Sequence, residues 1–308
     1  MSDVVLLFSG QGAQKVGMGK DFHEASETAR ALFKRADEVL GFPLSQVMFE
    51  GPDEELTRTS RCQPALYLHG LVALALLKER VGGLNPVAAA GLSLGEFTAH
   101  SAAGTFSFED GLKVVARRGL FMEEACEATQ GAMAALIGGE EESVKALATE
   151  CGVDVANFNA PGQIVLSGTV EGIDAAVEKA RDHGIRRAIK LNVAGAYHSR
   201  LMQGAQDKLA EELVGVSMQS PAIPVVCNFG ASVVSDPAEI RSMLEKQVTG
   251  SVRWTESIRL LIEKGHRTFI ELGPGKVLAG LVAKIDKDVT VYSIEDLASL
   301  ESVIEQLE

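Results

Sequence analysis

The sequence predicts an α/β protein, with a larger α/β domain over residues 1–128 and 194–308 and a ferredoxin-like subdomain inserted at 129–193. Three observations predict it. Short aliphatic runs at 3–8, 87–90 and 268–272 break into glycine-containing turns that feed helical segments, as strands of a parallel sheet do. Roughly sixty central residues read strand, helix, strand, strand, helix, strand, which is the ferredoxin-like order. At 308 residues the chain exceeds what one core commonly supports, so a large domain with an insertion is expected.

Asp3–Phe8 is a β-branched and aliphatic run, and it breaks into Ser9-Gly-Gln-Gly-Ala-Gln14. A dinucleotide fingerprint would need glycine at position 15, where Lys15 stands, so that reading fails. Residues 20–40 and 64–80 have helical periodicity, with a loop and helix start at 51–55 between them. The run 87–90 is a second buried strand and leads into Gly91-Leu-Ser93-Leu-Gly95. Ser107, with Asp110 three residues on, caps a helix over 111–125. In the insertion, strands are expected at 132–137, 153–158, 163–167 and 186–193, a turn at 159–162, and helices at 140–150 and 170–183. The tail adds strands at 223–228, Thr268–Leu272 and 290–293, and helices at 240–247 and 252–264.

Composition narrows the function classes. Hydrophobic residues make up 46% and aromatics only 5%, with 31 glycines, which suits close helix-on-sheet packing in a soluble enzyme. A net charge of −13 argues against nucleic acid or an anionic membrane as a partner. Cys62, Cys126, Cys151 and Cys227 are widely spaced and form no C-x-x-C pair, so free thiols, no structural metal and a cytoplasmic location are expected. Residues 1–20 lack the features of a signal peptide, and the apolar run at 66–77 is too short to span a bilayer.

The chemistry centres on Gly91-Leu-Ser93-Leu-Gly95. A strand that turns sharply into a helix brings its backbone close at both glycines and lifts the Ser93 hydroxyl to a helix N-terminus, where N–H groups favour an anion. The Leu94 amide is then a candidate oxyanion donor. Such a serine needs a base. Of six histidines, His23 and His183 lie among charged residues and read as solvated, His69 reads as core, and His100 points down the helix away from Ser93. His198, in a loop of small residues, and His266, in a polar connection, remain. Arg117 and Arg118 point about 100° apart on their helix, so at most one faces inward.

The motifs Phe8-Ser-Gly-Gln-Gly-Ala-Gln14, Gly91-Leu-Ser-Leu-Gly-Glu96, Arg118-Gly119, Asn157-Phe-Asn-Ala-Pro-Gly-Gln163, Tyr197-His-Ser-Arg-Leu-Met202 and Glu271-Leu-Gly-Pro-Gly-Lys276 occur in this order. Together they resemble the malonyl-CoA:acyl carrier protein transacylases and the acyltransferase domains of polyketide synthases, from residue 4 to about 282. The resemblance implies an α/β-hydrolase-like domain with the ferredoxin-like insertion. It implies Ser93 as nucleophile, His198 as base and then acid, and Arg118 as partner of the malonyl carboxylate. Gln11 and Leu94 would give oxyanion amides, and the Gln247 main chain would orient the histidine. Malonyl-CoA and acyl carrier protein are the implied partners, with no cofactor beyond the phosphopantetheine on the carrier.

Two departures stand out. Leu92 occupies a position where the family usually has histidine, and Ser9 one where it usually has proline. Tyr197 stands where phenylalanine or serine is frequent, and its bulk favours malonyl over methylmalonyl. A competing reading is an esterase or thioesterase, whose Ser…Asp/Glu…His order would nominate His266. A third is a non-catalytic subunit that binds carrier protein. Docking of an acidic carrier would need basic side chains, with Arg186, Arg187, Lys190, Arg200 and Lys276 as candidates.

Overall fold

The computed structural model describes residues 3–307. Its strands, in chain order, are β1 (Asp3–Phe8), β2 (Asn85–Gly91), β3 (Gly131–Ile137), β4 (Asp154–Ala160), β5 (Gln163–Thr169), β6 (Arg187–Lys190), β7 (Val225–Cys227), β8 (Ser232–Val233), β9 (Thr268–Leu272) and β10 (Thr290–Ile294). They form two sheets, β10-β9-β1-β2-β7-β8 and β4-β5-β3-β6. In the larger sheet every neighbouring pair is parallel except the antiparallel β7–β8 edge.

The unbroken aliphatic run of β1 follows from its central place, because a parallel strand with helices on both faces is buried on both. Val4, Leu6 and Phe8 enter one core, while Val5 and Leu7 enter a second on the opposite face, the period-2 alternation of a strand. The first core takes in the Thr59–Arg80 and Phe108–Ala128 helices, and the second is built around the fully buried Trp254. Phe8 stands level with Gly91 on one side and Leu272 on the other. The turns that follow β1, β2 and β9 are therefore gathered at one edge of the sheet, where ligands of open parallel sheets bind.

The smaller sheet is antiparallel throughout. The Glu141–Cys151 helix joins β3 to β4 and the Val170–Lys179 helix joins β5 to β6; both pack on it through a separate core that includes Leu136, Leu147, Leu166 and Ile173. The sheets are tied where β4 meets the segment after Gln247. Val252 donates to the Ala156 carbonyl at 2.8 Å, and Phe158 donates to the Val252 carbonyl at 2.9 Å.

Several expected boundaries change. The helix over 20–40 is two, Lys20–Ala25 and Glu27–Leu40, because Ser26 turns extended and its side chain caps the second by accepting from Ala29 N. The helix expected from 64 starts at Thr59 and carries Pro64 inside it. The helix expected to reach 183 stops at Lys179, and the strand expected over 186–193 contracts to β6. The helices Leu44–Glu50 and Leu297–Leu307 and the short β8 have no counterpart in the sequence reading, whereas Val277–Ile285 is the helix expected after the turn at 273–276. No helix among the described residues is long and apolar enough to cross a membrane.

Candidate active site

The turn after β2 has no room for side chains at its two glycines. A Cβ on Gly91 would run into the Gly95 carbonyl group, and one on Gly95 into the Phe8 carbonyl oxygen. That close approach leaves Ser93 at φ 55°, ψ −106°, a strained position at the N-cap of the Leu94–Ala102 helix. Asn228, just after β7 in the neighbouring strand position, clamps the turn. Its Oδ1 accepts from Ser93 N at 2.6 Å, and its Nδ2 donates to the Gly91 carbonyl at 2.8 Å.

Ser93 Oγ lies 2.7 Å from His198 Nε2. His198 Nδ1 lies 2.8 Å from the Gln247 carbonyl oxygen. A carbonyl can only accept, so Nδ1 carries the ring proton and Nε2 offers its lone pair to the serine. Burial pushes the His198 pKa down to about 4, and the Arg118 charge pushes the same way. The imidazole is therefore a neutral base at pH 7.

Arg118 also reaches the serine. Its Nη2 donates to Ser93 Oγ at 3.1 Å and to Gln247 Oε1 at 2.9 Å, and its Nη1 donates to Gln63 Oε1 at 2.7 Å. Only 1% of Arg118 is exposed, and the Phe97 ring lies 5.2 Å from its guanidinium carbon. These hydrogen-bond acceptors are two neutral amides and a hydroxyl. Burial pulls the Arg118 pKa down to about 10, with Glu96 opposing that shift. Arg117 instead points outward and pairs with Glu212.

A cavity of about 480 Å³ opens over the serine, lined among others by Gln11, Leu92, Met133, Tyr197 and His198. The Gln11 side chain reaches Thr59 Oγ1 and the Tyr197 hydroxyl, each at 3.4 Å, and that hydroxyl is 2.7 Å from Thr59 Oγ1. Leu94 opens the helix behind Ser93, with its N–H in the unpaired first turn. Ser93, His198, Arg118, Gln247, Gln11, Leu94 and Tyr197 are thus brought together from distant stretches. Asn228, Gln63 and Glu96 belong to the same cluster and were not singled out from the sequence. The position of Asn228 at the end of a buried strand was the available signal for it.

Of the other histidines, His69 is core as expected, while His23 and His183 are less solvated than expected. His69 and His100 are buried. His23 is only half exposed, packed against the Phe33 and Phe49 rings, and His183 faces Glu150. His266 precedes β9, at the edge of the sheet opposite the turn that carries Ser93. Of the basic candidates, Lys190 is paired with Asp174 and Arg200 with Asp154. Among the described residues, Glu96, His100 and Cys227 bring three potential metal ligands within 4.8 Å of one another. Burial and the adjacent Glu96 raise the Cys227 pKa, so the site favours a thiol over the thiolate a metal requires.

Residues 5–302 match the acyl transferase domain family. The chain belongs to that family. It is 44% identical to the malonyl CoA-acyl carrier protein transacylase of Bacillus subtilis, with 100% of this chain and 98% of that protein covered. It is 36% identical to the Salmonella typhimurium protein of the same name, covering 99% of this chain and all of the relative. Among solved structures, MCAT from Streptococcus pneumoniae aligns with a TM-score of 0.94 at 39% identity, covering 99% of this chain and 100% of that one. A malonyl-transacylase solved with a type II PKS acyl-carrier protein aligns at 0.95 and 36% identity, with the same coverage.

Proposed function

We propose that the protein moves a malonyl group from malonyl-CoA to the phosphopantetheine thiol of acyl carrier protein through a malonyl-Ser93 intermediate. The observation that carries this reading is that one hydroxyl, Ser93 Oγ, meets a base at 2.7 Å and a guanidinium at 3.1 Å. The free carboxylate of a malonyl group sits two carbons from its reacting carbonyl, so a cation that recognises it must lie beside the nucleophile. A buried guanidinium held by neutral oxygens supplies that, and suits a bidentate carboxylate.

His198 Nε2 takes the Ser93 proton as Oγ attacks the thioester carbonyl. The amides of Gln11 and Leu94 hold the tetrahedral oxyanion, each worth about 3 kcal/mol of barrier. Collapse breaks the C–S bond, and the CoA sulfur leaves with the proton from His198. In the second half His198 removes the proton of the carrier thiol, the sulfur attacks the acyl-serine, and Ser93 recovers its proton. Tyr197, tied to Thr59, narrows the space beside His198 and supports malonyl over methylmalonyl. No step calls for a cofactor in the protein itself.

The same reading takes residues 1–128 and 194–308 as an α/β-hydrolase-like domain and 129–193 as a ferredoxin-like insertion. The parallel order β9-β1-β2-β7 and the antiparallel order β4-β5-β3-β6 support it. Four free cysteines support a cytoplasmic protein. The esterase reading loses support from His266, which lies at the other edge of the sheet.

The test is the mass of the peptide that contains Ser93 after exposure to malonyl-CoA. A malonyl adduct that disappears on addition of holo acyl carrier protein, with malonyl appearing on the carrier, is expected. No adduct, or one cleared by water as fast as by carrier, overturns the proposal.

A further inference from the structure

We propose that Glu96, one turn beyond the nucleophile and without contact to substrate, is a positioning residue that fixes which way the Gln247 carboxamide faces and thereby holds Arg118 against Ser93. The inference rests on the reading of Arg118 as partner of the substrate carboxylate.

Glu96 is fully buried beneath the turn. Its Oε2 accepts from Gln247 Nε2 at 2.6 Å and from Asn228 N at 3.0 Å. Gln247 Nε2 donates also to the Ser93 carbonyl at 2.9 Å, and Gln247 Oε1 accepts from Arg118 Nη2 at 2.9 Å. With the carboxamide turned over, an NH₂ would face the guanidinium and an oxygen would face both the Glu96 carboxylate and the Ser93 carbonyl. Donor would meet donor and acceptor would meet acceptor, so the observed orientation is dictated by Glu96 and the Ser93 carbonyl together. The Gln247 carboxamide and the Gln63 side chain are the two amide acceptors that aim Arg118. Because Glu96 Oε2 also holds Asn228, whose side chain clamps the turn, its loss should slow every acyl donor somewhat. Its separate effect through Gln247 and Arg118 should fall on donors that carry a carboxylate. That difference is what a merely structural role would not produce.

The experiment compares kcat/KM for Ser93 acylation with malonyl-CoA and with acetyl-CoA. In Glu96→Ala the malonyl-to-acetyl ratio is expected to fall by about tenfold or more, the scale of one lost hydrogen bond in an aligned charged network. Glu96→Gln keeps an acceptor for Gln247 and is expected to stay within about threefold of the wild-type ratio. Glu96→Asp withdraws the carboxylate by one methylene and should narrow the ratio in the same direction; it remains readable if the alanine variant does not fold. An equal loss for both donors in Glu96→Ala or Glu96→Asp, or a Glu96→Gln ratio as low as that of Glu96→Ala, overturns the proposal. Arg118→Ala separates it from the reading beneath it. If that variant keeps the malonyl preference, the role of Arg118 fails; if it loses the preference while the alanine and aspartate variants of Glu96 keep it, only the role of Glu96 fails.

Discussion

Ser93 and His198, whose side chains meet at 2.7 Å, both hold positive backbone angles, φ 55° and φ 56°. Neither is a glycine, and each such sparsely populated backbone conformation costs on the order of 1–3 kcal/mol. The strain persists because the surroundings over-determine it: Asn228 holds the Ser93 amide, and the Gln247 carbonyl holds the His198 ring.

The first prediction follows from that strain. Ser93→Ala and Ser93→Gly both remove the nucleophile, but only glycine relieves the backbone. The glycine variant is expected to be more stable than the alanine variant by about 1 kcal/mol, a few degrees in melting temperature. This reverses the order at an ordinary position, where glycine is the less stable. Thermal denaturation of the two inactive proteins side by side checks it, and an alanine variant equal to or above the glycine variant would show that the turn is unstrained.

Arg118 carries the second prediction. Arg118→Lys keeps a charge but cannot reach Gln63, Gln247 and a carboxylate together, since a lysine is a point donor. Malonyl loading should fall by roughly 100-fold, on the scale of a lost charge-assisted pair. Acetyl loading should fall far less, because no carboxylate is involved. Steady-state acylation of Ser93 by each donor measures this. A parallel loss for both donors would mean that Arg118 serves the serine and not the substrate.

Much of this was legible in the sequence, for reasons that differ between elements. Asp3–Phe8 and Thr268–Leu272 have the read boundaries because each is a buried strand whose aliphatic run ends at a glycine-bearing turn. Gly91 and Gly95 announce a close approach of backbone, and a Cβ at either would collide with a neighbouring carbonyl. The break at Ser26 was hidden because the buried Phe22, Ala29, Phe33 and Ala36 keep the spacing of one helical face across it. Glu96, Gln63 and Asn228 escaped for another reason. Each acts through a partner 55 to 151 positions away (Gln63 to Arg118, Glu96 to Gln247), a distance that no local pattern spans. Residue pattern alone left His198 beside His266; the family resemblance singled out His198, and the fold sets its ring against Ser93.

The third prediction concerns stability against pH. Burial lowers the pKa of His69 to about 4, of His100 to about 3 and of His198 to about 4. An unfolded chain takes up these protons near pH 6.5, which the native protein refuses until much lower. Their contribution is therefore complete above about pH 6.5 and is lost as pH falls toward 4, by up to about 1.4 kcal/mol per unit for each histidine. Glu96, raised to about 7 by burial, has the opposite sign: its contribution is complete below about pH 4.5 and is lost as pH rises through 7. It offsets about one histidine, which leaves a net loss of about 2–3 kcal/mol per unit between pH 6 and 5. Urea midpoints at pH 7, 6 and 5 measure the slope, and His100→Leu, provided it folds, should flatten it. A midpoint that holds or rises from pH 6 to 5 would contradict the assignment of these three groups as neutral.

Catalysis should tolerate acid better than an ordinary histidine allows, which is the fourth prediction. The acid limb of kcat/KM reports the free enzyme's base. With His198 lowered to about 4, chiefly by burial and next by Arg118, acylation of Ser93 should persist well below pH 6.5. Arg118→Ala removes the second of those causes, and the limb of the residual acetyl reaction should move upward toward the ordinary value. Rates of Ser93 acylation by acetyl-CoA, taken from pH 4.5 to 8 over times too short for unfolding, separate the cases. A wild-type limb already near 6.5 would mean that His198 is solvated in the working enzyme, and an unmoved limb in Arg118→Ala would leave burial as the whole cause.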